Sequence, residues 1–259
     1  MKVVSLASGS QGNAYCVIGG GRVLLIDCGL SCLELRRRAA DAGVPLQDLS
    51  GVVFTHAHWD HVKGVGTFRK RFPDVPLFAN MMTAESIACE CDVDEADFSM
   101  FENGQMFEVG PFEVLPFSIP HDSSDPVGYV VKVDGETYFH GTDIGSPLDS
   151  IGVHLAEADV ATLESNHDVG LLFGSGRPVS LIQRIVGPRG HLSNDQACDL
   201  VRRFASPRLK ALALAHLSGH CNEPSLAERT MLTALSEIGR EDIALRIFLQ
   251  DSIVPMACE

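Results

Sequence analysis

The stretch Thr55-His56-Ala57-His58-Trp59-Asp60-His61 follows directly on the apolar run Gly51-Val52-Val53-Phe54, and it constrains this chain more than any other feature. A short β-branched and aromatic run reads as a buried strand. Four metal-capable side chains (His56, His58, Asp60 and His61) therefore fall in the loop where that strand ends. Period-two alternation sends His56 and His58 to one side, and Asp60 continues that side if the backbone stays extended. His61 breaks the alternation, so the chain must turn there. Imidazole and carboxylate donors suit zinc, manganese or iron, and two donor pairs this close point to two adjacent ions. A single histidine in a loop is more often a surface residue than a ligand. Three within six residues, with an aspartate among them, are not explained that way.

A dinuclear site needs donors from elsewhere, and three further strand ends offer them. His121 follows the run Val114 to Ile119 and is fixed by Pro120. Asp143 lies in Gly141-Thr142-Asp143-Ile144-Gly145 after Thr137-Tyr138-Phe139, where a carboxylate could use both oxygens. His216 ends Ala211-Leu212-Ala213-Leu214-Ala215. Each alone would be an ordinary loop residue more often than a ligand. Their recurrence at separate strand ends makes the joint reading much stronger.

The His-x-His-x-Asp-His stretch, with these later positions, resembles the signature of the metallo-β-lactamase-fold hydrolases. The resemblance implies an α+β architecture, an αββα sandwich of two mixed sheets face to face with helices on the outer faces. It also implies that His56, His58 and His121 hold one divalent ion, that Asp60, His61 and His216 hold the other, and that Asp143 bridges them. Oxygen-reducing di-iron relatives carry glutamate in place of His58, so this chain sides with the hydrolases. Gly190-His191-Leu192-Ser193, followed by a helix, resembles the segment that nuclease and phosphodiesterase members place beside the scissile phosphate. With Ser8-Gly9-Ser10-Gln11-Gly12-Asn13, Pro120-His121-Asp122, Asn166-His167-Asp168 and His216-Leu217-Ser218, the pattern over residues 3 to 226 looks like the bacterial WalJ-like branch of 5′-to-3′ exonucleases. Fold alone carries no substrate, so the branch rests on these local motifs.

The implied chemistry is phosphodiester hydrolysis by hydroxide generated from water between two Zn2+ or Mn2+ ions, or Fe2+. The candidate catalytic residues are Asp60, His191 and His167. His191 would protonate or stabilise the departing oxygen, and His167 would contact substrate or metal nearby. Two other readings share the sequence. One is a thioester or lactone hydrolase of the same fold. The other is a non-catalytic, metal-stabilised binding module, against which the complete ligand set argues.

Composition limits the partners. The net charge is -14, which opposes general nucleic-acid binding, although Arg36-Arg37-Arg38, Arg69-Lys70-Arg71 and Arg202-Arg203 are local basic clusters. Nucleic acid or another phosphodiester is the expected substrate. No apolar run approaches the ~20 residues of a membrane span, and Met1 to Leu6 reads as a first strand rather than a leader, so a cytoplasmic protein is expected. Eight irregularly spaced cysteines read as reduced thiols, with Cys221 near enough to His216 in sequence to approach the site.

Element by element, strands are expected at 3–7, 14–18 and 22–27, with a tight hairpin at 8–13, and a helix over 32–42 from the capping box at Ser31. A helix over 62–72 should follow the metal loop, then a strand at 77–79 and a helix capped by Thr83. Strands flank Gly110-Pro111 and Asp134-Gly135. A helix at 147–157 and a strand at 159–164 lead into a loop-rich region over 165–191. Helix 194–205, strand 211–215, helix 224–238 and a strand near 245–249 finish the chain. With no internal repeat and no linker, residues 1–259 read as one domain. Trp59 is expected to pack, and His140, His154 and His220 to be structural or surface residues.

Overall fold

A computed structural model describes residues 1–257 of the chain. Hydrophobic runs too continuous for one-sided strands explain its architecture. In β1 (Lys2–Ala7), β2 (Ala14–Gly19), β3 (Arg22–Ile26) and β4 (Leu49–Val53) nearly every residue is buried, so both faces of the sheet must be covered. One face, with Val3, Tyr15, Val17, Leu24, Ile26 and Val53, packs into a core shared with the second sheet. The alternate residues Val4, Leu6, Cys16, Val23, Leu25 and Val52 pack outward. There they meet helices α1 (Cys32–Asp41), α2 (Trp59–Val62), α3 (Val65–Arg71) and α4 (Met81–Glu90).

The first sheet is completed by β5 (Leu77–Ala79) and β6 (Phe98–Met100). The second holds β7 (Phe107–Val109), β8 (Phe112–Ser118), β9 (Val127–Val133), β10 (Glu136–Gly141), β11 (Val160–Glu164), β12 (Ala211–Ala215) and β13 (Ala244–Ile247). A last strand, β14 (Val254–Ala257), crosses back to pair antiparallel with β1. The orders are β14-β1-β2-β3-β4-β5-β6 and β13-β12-β11-β10-β9-β8-β7. In β12 the alternation separates by size: Ala211, Ala213 and Ala215 face the inter-sheet core, and Leu212 and Leu214 face helices. Those outer helices are α5 (Asp149–Ala156), α8 (Asn194–Phe204) and α9 (Pro224–Glu237). The result is the expected αββα sandwich.

Topology decides where chemistry can sit. β3, β4, β5 and β6 run parallel, as do β10, β11, β12 and β13. Parallel neighbours end at the same edge, so the residues after β3, β4, β10, β11 and β12 emerge together there. β8, antiparallel to β9 as β10 is, delivers Ile119 to His121 to that edge as well.

Several local expectations are corrected. The helix expected over 62–72 is two, broken at Lys63-Gly64, because Gly64 lies against Leu30 so closely that a Cβ there would stand 1.8 Å from its carbonyl oxygen. The chain is already helical from Trp59, so Asp60 does not continue an extended alternation. Asn80, not Thr83, caps α4, accepting the Thr83 amide at 2.9 Å. Residues 8–13 do form the expected hairpin connection between β1 and β2, with Gly12 N–H donating to the Gly9 carbonyl at 3.0 Å and Asn13 bracing the loop. The region 165–191 contains α6 (Val169–Gly174), capped by Asp168, and α7 (Val179–Val186). Trp59 is 59% exposed and packs into no core. The cysteines Cys16, Cys28, Cys32, Cys89, Cys91, Cys198 and Cys221 are free thiols, and Cys258 lies outside the described residues. Cys221 is buried with Leu172 and Ile182 and takes no part in the histidine cluster.

Gly29, between β3 and α1, is where the two loops touch: a Cβ there would meet the Asp60 carbonyl oxygen at 1.8 Å and the Asn13 amide at 2.5 Å, both backbone atoms. Gly29→Ala is expected to destabilise the fold by roughly 1–3 kcal/mol or more. Gly219→Ala, with nothing within 4 Å, should stay within about 0.5 kcal/mol. Equal thermal midpoints for the two variants would refute the account.

Candidate metal centre

The turn after β4 brings His56 and His58 to the shared edge, and α2 then swings Asp60 and His61 beneath them. His121 arrives from β8, Asp143 from β10 and His216 from β12. Asp143 and His216 both adopt left-handed backbone, at φ 59° and 55°, as does Asp27 at 61° after β3. Non-glycine residues in that region cost roughly 1–2 kcal/mol each and gather at functional sites.

Their donor atoms converge as two groups. His56 Nε2 lies 3.1 Å and His121 Nε2 3.2 Å from His58 Nδ1. In the second group, His61 Nε2 and His216 Nε2 each lie 3.5 Å from Asp60 Oδ2. The Asp143 carboxylate stands between them, Oδ2 3.3 Å from His61 Nε2 and Oδ1 3.7 Å from His121 Nε2.

Tautomers follow from the outer partners. His61 Nδ1 faces Asp27 Oδ2 at 2.7 Å, and His216 Nδ1 faces Glu164 Oε1 at 2.9 Å. His121 Nδ1 faces the Gly190 carbonyl oxygen at 3.0 Å. His56 Nδ1 reaches the Thr55 hydroxyl, which itself donates to Asp27. Each Nδ1–H therefore has an acceptor on the outside, and the four Nε2 atoms face inward. Buried Asp143 Oδ2 and His216 Nε2 have no hydrogen-bond partner among the described residues. A cation between them would satisfy all of these atoms. Edges of 3.1–3.5 Å are close to the ~3.3–3.4 Å edges of a tetrahedron built on zinc–nitrogen bonds of about 2.0–2.1 Å. The residues present thus fit a pair of divalent ions.

The electrostatics agree. Burial, with His61 beside it, holds His56 well below the usual histidine range, so its ring is neutral. Burial opposes charge on His61 too, but Asp27, Asp60 and Asp143 raise it well above that range. His216 rises to about 10 against its burial, chiefly through Asp143, Asp60 and Glu164. Carboxylate charge in the cluster must be balanced, by protons on these rings or by cations that displace them.

Two residues that organise the cluster were not singled out by sequence. Glu164 is fully buried and accepts from four donors: Oε1 from His191 Nδ1 and His216 Nδ1 at 2.9 Å each, and Oε2 from the amides of Ile144 and Leu192. Burial would raise its pKa, but His191 and these bonds bring it down to about 2. Its oxygens are already occupied, so it orients imidazoles rather than offering a lone pair. Asp27 does the same for His61 and Thr55. The only sequence signal for either was an acid at the end of a strand. Asn13, in the Ser8–Asn13 loop, reaches Asp60 Oδ2 and His61 Nε2 through Nδ2, its amide orientation fixed by Gly9 N–H donating to Oδ1.

His191 stands outside both groups, with Nδ1 on Glu164 and 3.6 Å from Asp143 Oδ1. Burial lowers its pKa, but Glu164 and Asp143 more than offset this and raise it. His167 lies deeper, only 1% exposed, bridging to Ser193 and accepting the Asn194 amide at its carbonyl. The structure does not bring it into the cluster. His140 is buried against Tyr138, half-buried His154 stacks on Phe117, and His220 is exposed.

Fold and site together define a class. Residues 22–213 match the β-lactamase superfamily domain, and the chain belongs to that superfamily. Within it the chain groups with two bacterial relatives. It is 32% identical over 235 residues to exodeoxyribonuclease WalJ of Streptococcus pneumoniae, covering 90% of this chain and 87% of the relative. It is also 32% identical over 237 residues to exodeoxyribonuclease YycJ of Bacillus anthracis, covering 90% and 89%. The solved structure of the metallo-β-lactamase fold protein YhfI from Bacillus subtilis superposes with a TM-score of 0.72 at 18% identity, covering 98% of this chain and 99% of that one, a likeness of fold alone.

A cation-binding role makes the side chains separable by metal content. Asp143→Ala is expected to lose bound zinc or manganese on dialysis, and Glu164→Ala to weaken metal affinity about 10–100-fold. His191→Ala should retain the metal. Mass-spectrometric metal analysis decides it: Asp143→Ala holding as much metal as the wild type would rule out the bridging position.

Proposed function

We propose that this chain is a two-metal phosphodiesterase that removes nucleotides from DNA ends. His56, His58 and His121 would hold one divalent ion, Asp60, His61 and His216 the second, and Asp143 both. The observation that carries the reading is the Asp143 carboxylate spanning two donor groups, with the Glu164-anchored imidazole of His191 beside it. The names of WalJ and YycJ support DNA as the substrate. Among the described residues no helix is long and apolar enough to cross a membrane, and a cytoplasmic site of action, in one domain spanning residues 1–259, suits a DNA substrate.

Two ions bound there would supply a nucleophile, by lowering the pKa of water to near neutrality, and would offset charge on the phosphate oxygens. The protein's own part is proton delivery and orientation. With Nδ1 held by Glu164, which favours the protonated ring, His191 would present Nε2 to the departing oxygen as proton donor. Asp60 is counted with the catalytic residues because it faces His61 and His216 from the open side of the cluster. His167, too deep to touch a strand, is assigned the backbone support of the Ser193 turn that presents His191.

End-labelled DNA and RNA digested with zinc and with manganese separately, beside thioester and lactone substrates, test this. Stepwise shortening of DNA, with the labelled end giving polarity, is expected. His191→Ala should lower kcat about 10²–10⁴-fold. Turnover of a thioester or lactone without cleavage of DNA would instead make this a carbonyl hydrolase.

A further inference from the structure

From Val169 to Asn194 the chain carries Arg177, Arg184 and Arg189 and no aspartate, glutamate or lysine, although acidic residues outnumber basic ones 34 to 20 overall. This segment is the α6–α7 hairpin and the turn that presents His191. It is anchored through Leu172 and Ile182 on Cys221 and through the Asp168 amide on the Cys221 carbonyl. Its outer surface is apolar as well as basic. Val179 is exposed, and Phe173, 62% exposed, is the one exposed phenylalanine among the described residues.

Arg184 ties this arm to the histidine cluster. Its guanidinium grips Asp122 with two bonds, Nε to Oδ2 at 2.5 Å and Nη2 to Oδ1 at 3.2 Å. Asp122 Oδ1 in turn lies 3.6 Å from His121 Nε2 and 3.9 Å from His58 Nε2. Nη1 has no partner among the described residues, and the side chain is 57% exposed. A guanidinium fixed by one carboxylate with a nitrogen to spare is oriented in advance for a second anion. Just before the N-cap of α7, Arg177 lines a cavity of about 650 Å³ with Ser8, Ser10, Ser218 and His220. That cavity opens beside the other end of the cluster, since Ser8 Oγ accepts the His216 amide.

We propose that the α6–α7 hairpin is the arm that grips single-stranded DNA across the metal centre, with Arg184 holding the phosphate nearest the His58/His121 side and Arg177 a second phosphate at the His216 side. Phe173 and the aliphatic side chains beside it offer bases a stacking surface, which a paired duplex would not use. Arg184 acts by positioning: the Asp122 clamp sets where the strand lies relative to the cluster. The inference rests on the phosphodiesterase reading above.

The test is fluorescence anisotropy of a labelled single-stranded oligonucleotide with cleavage-resistant phosphorothioate linkages, on zinc-loaded protein across a series of KCl concentrations. Arg184→Ala is expected to raise Kd about tenfold and to lower the slope of log K against log salt by about 0.7, with Arg177→Ala adding a similar decrement. Arg184→Lys should recover the slope but only part of the affinity, because lysine keeps the charge without the fork. Arg36→Ala, which removes the same charge from α1, should change neither quantity. Wild-type Kd and slope in Arg184→Ala, an equal loss in Arg36→Ala, or tighter binding of the duplex would each overturn the arm while leaving DNA cleavage by the wild type intact. A wild-type protein that neither binds nor cuts DNA would overturn the phosphodiesterase reading and the arm with it.

Discussion

Three carboxylates buried at one edge of a two-sheet sandwich set the terms for the rest of this structure. Asp27, Asp143 and Glu164 are each no more than 2% exposed, and taking carboxyl groups so far from water is costly unless donors stand against them. The fold answers with imidazoles: His61 on Asp27 and Asp143, His216 on Asp143 and Glu164, His191 on Glu164. His61 and His216 hand their Nδ1 protons outward, so a cation that displaces the Nε2 proton meets a lone pair facing in. The same bonds that make the acids tolerable therefore build a pocket of donor atoms, which is a description of a cation site.

The sandwich can place these groups because its halves share one design. Each sheet begins with antiparallel strands and finishes with parallel ones, so the productive loops of both halves open on one edge. The backbone still has to bend sharply to aim them, and Asp27, Asp143 and His216 do so in left-handed conformations. Gly29 and Gly64 make room by letting the β3–α1 loop lie directly on the chain around Asp60. Strain and close packing at the same edge mean that stability has been given up there for geometry.

This explains what could be read in the sequence and what could not. The sandwich was legible because strands buried on both faces write themselves as continuous apolar runs, and His56, His58, Asp60 and His61 because four donors crowded into one turn have few innocent explanations. His121, Asp143 and His216 needed the added regularity of strand ends. Glu164 was hidden because it is a single acid at the end of a strand, and only the pairing of β11 between β10 and β12 reveals that it faces two imidazoles. Asn13 was hidden inside a Gly/Ser loop that reads equally well as a turn. The α6 and α7 helices were missed because they are only 6 and 8 residues long and are set among the breakers Gly174, Gly176 and Pro178, which read as loop.

The acidic surface then ceases to be an obstacle to a polyanionic substrate. At physiological salt, exposed charges are screened beyond about 8 Å, so most of the net charge of -14 is not felt at the edge where chemistry would occur. At that edge the segment from Val169 to Asn194 carries three arginines and no acid, and bound divalent ions would offset the carboxylates of the cluster. On the proposed reading, a chain built this way would gain little from long-range attraction and would hold a strand by contacts made after arrival. That arrangement suits an enzyme that must engage ends and release the rest of the polymer, because a surface uniformly basic would bind the length of the strand as readily as its terminus.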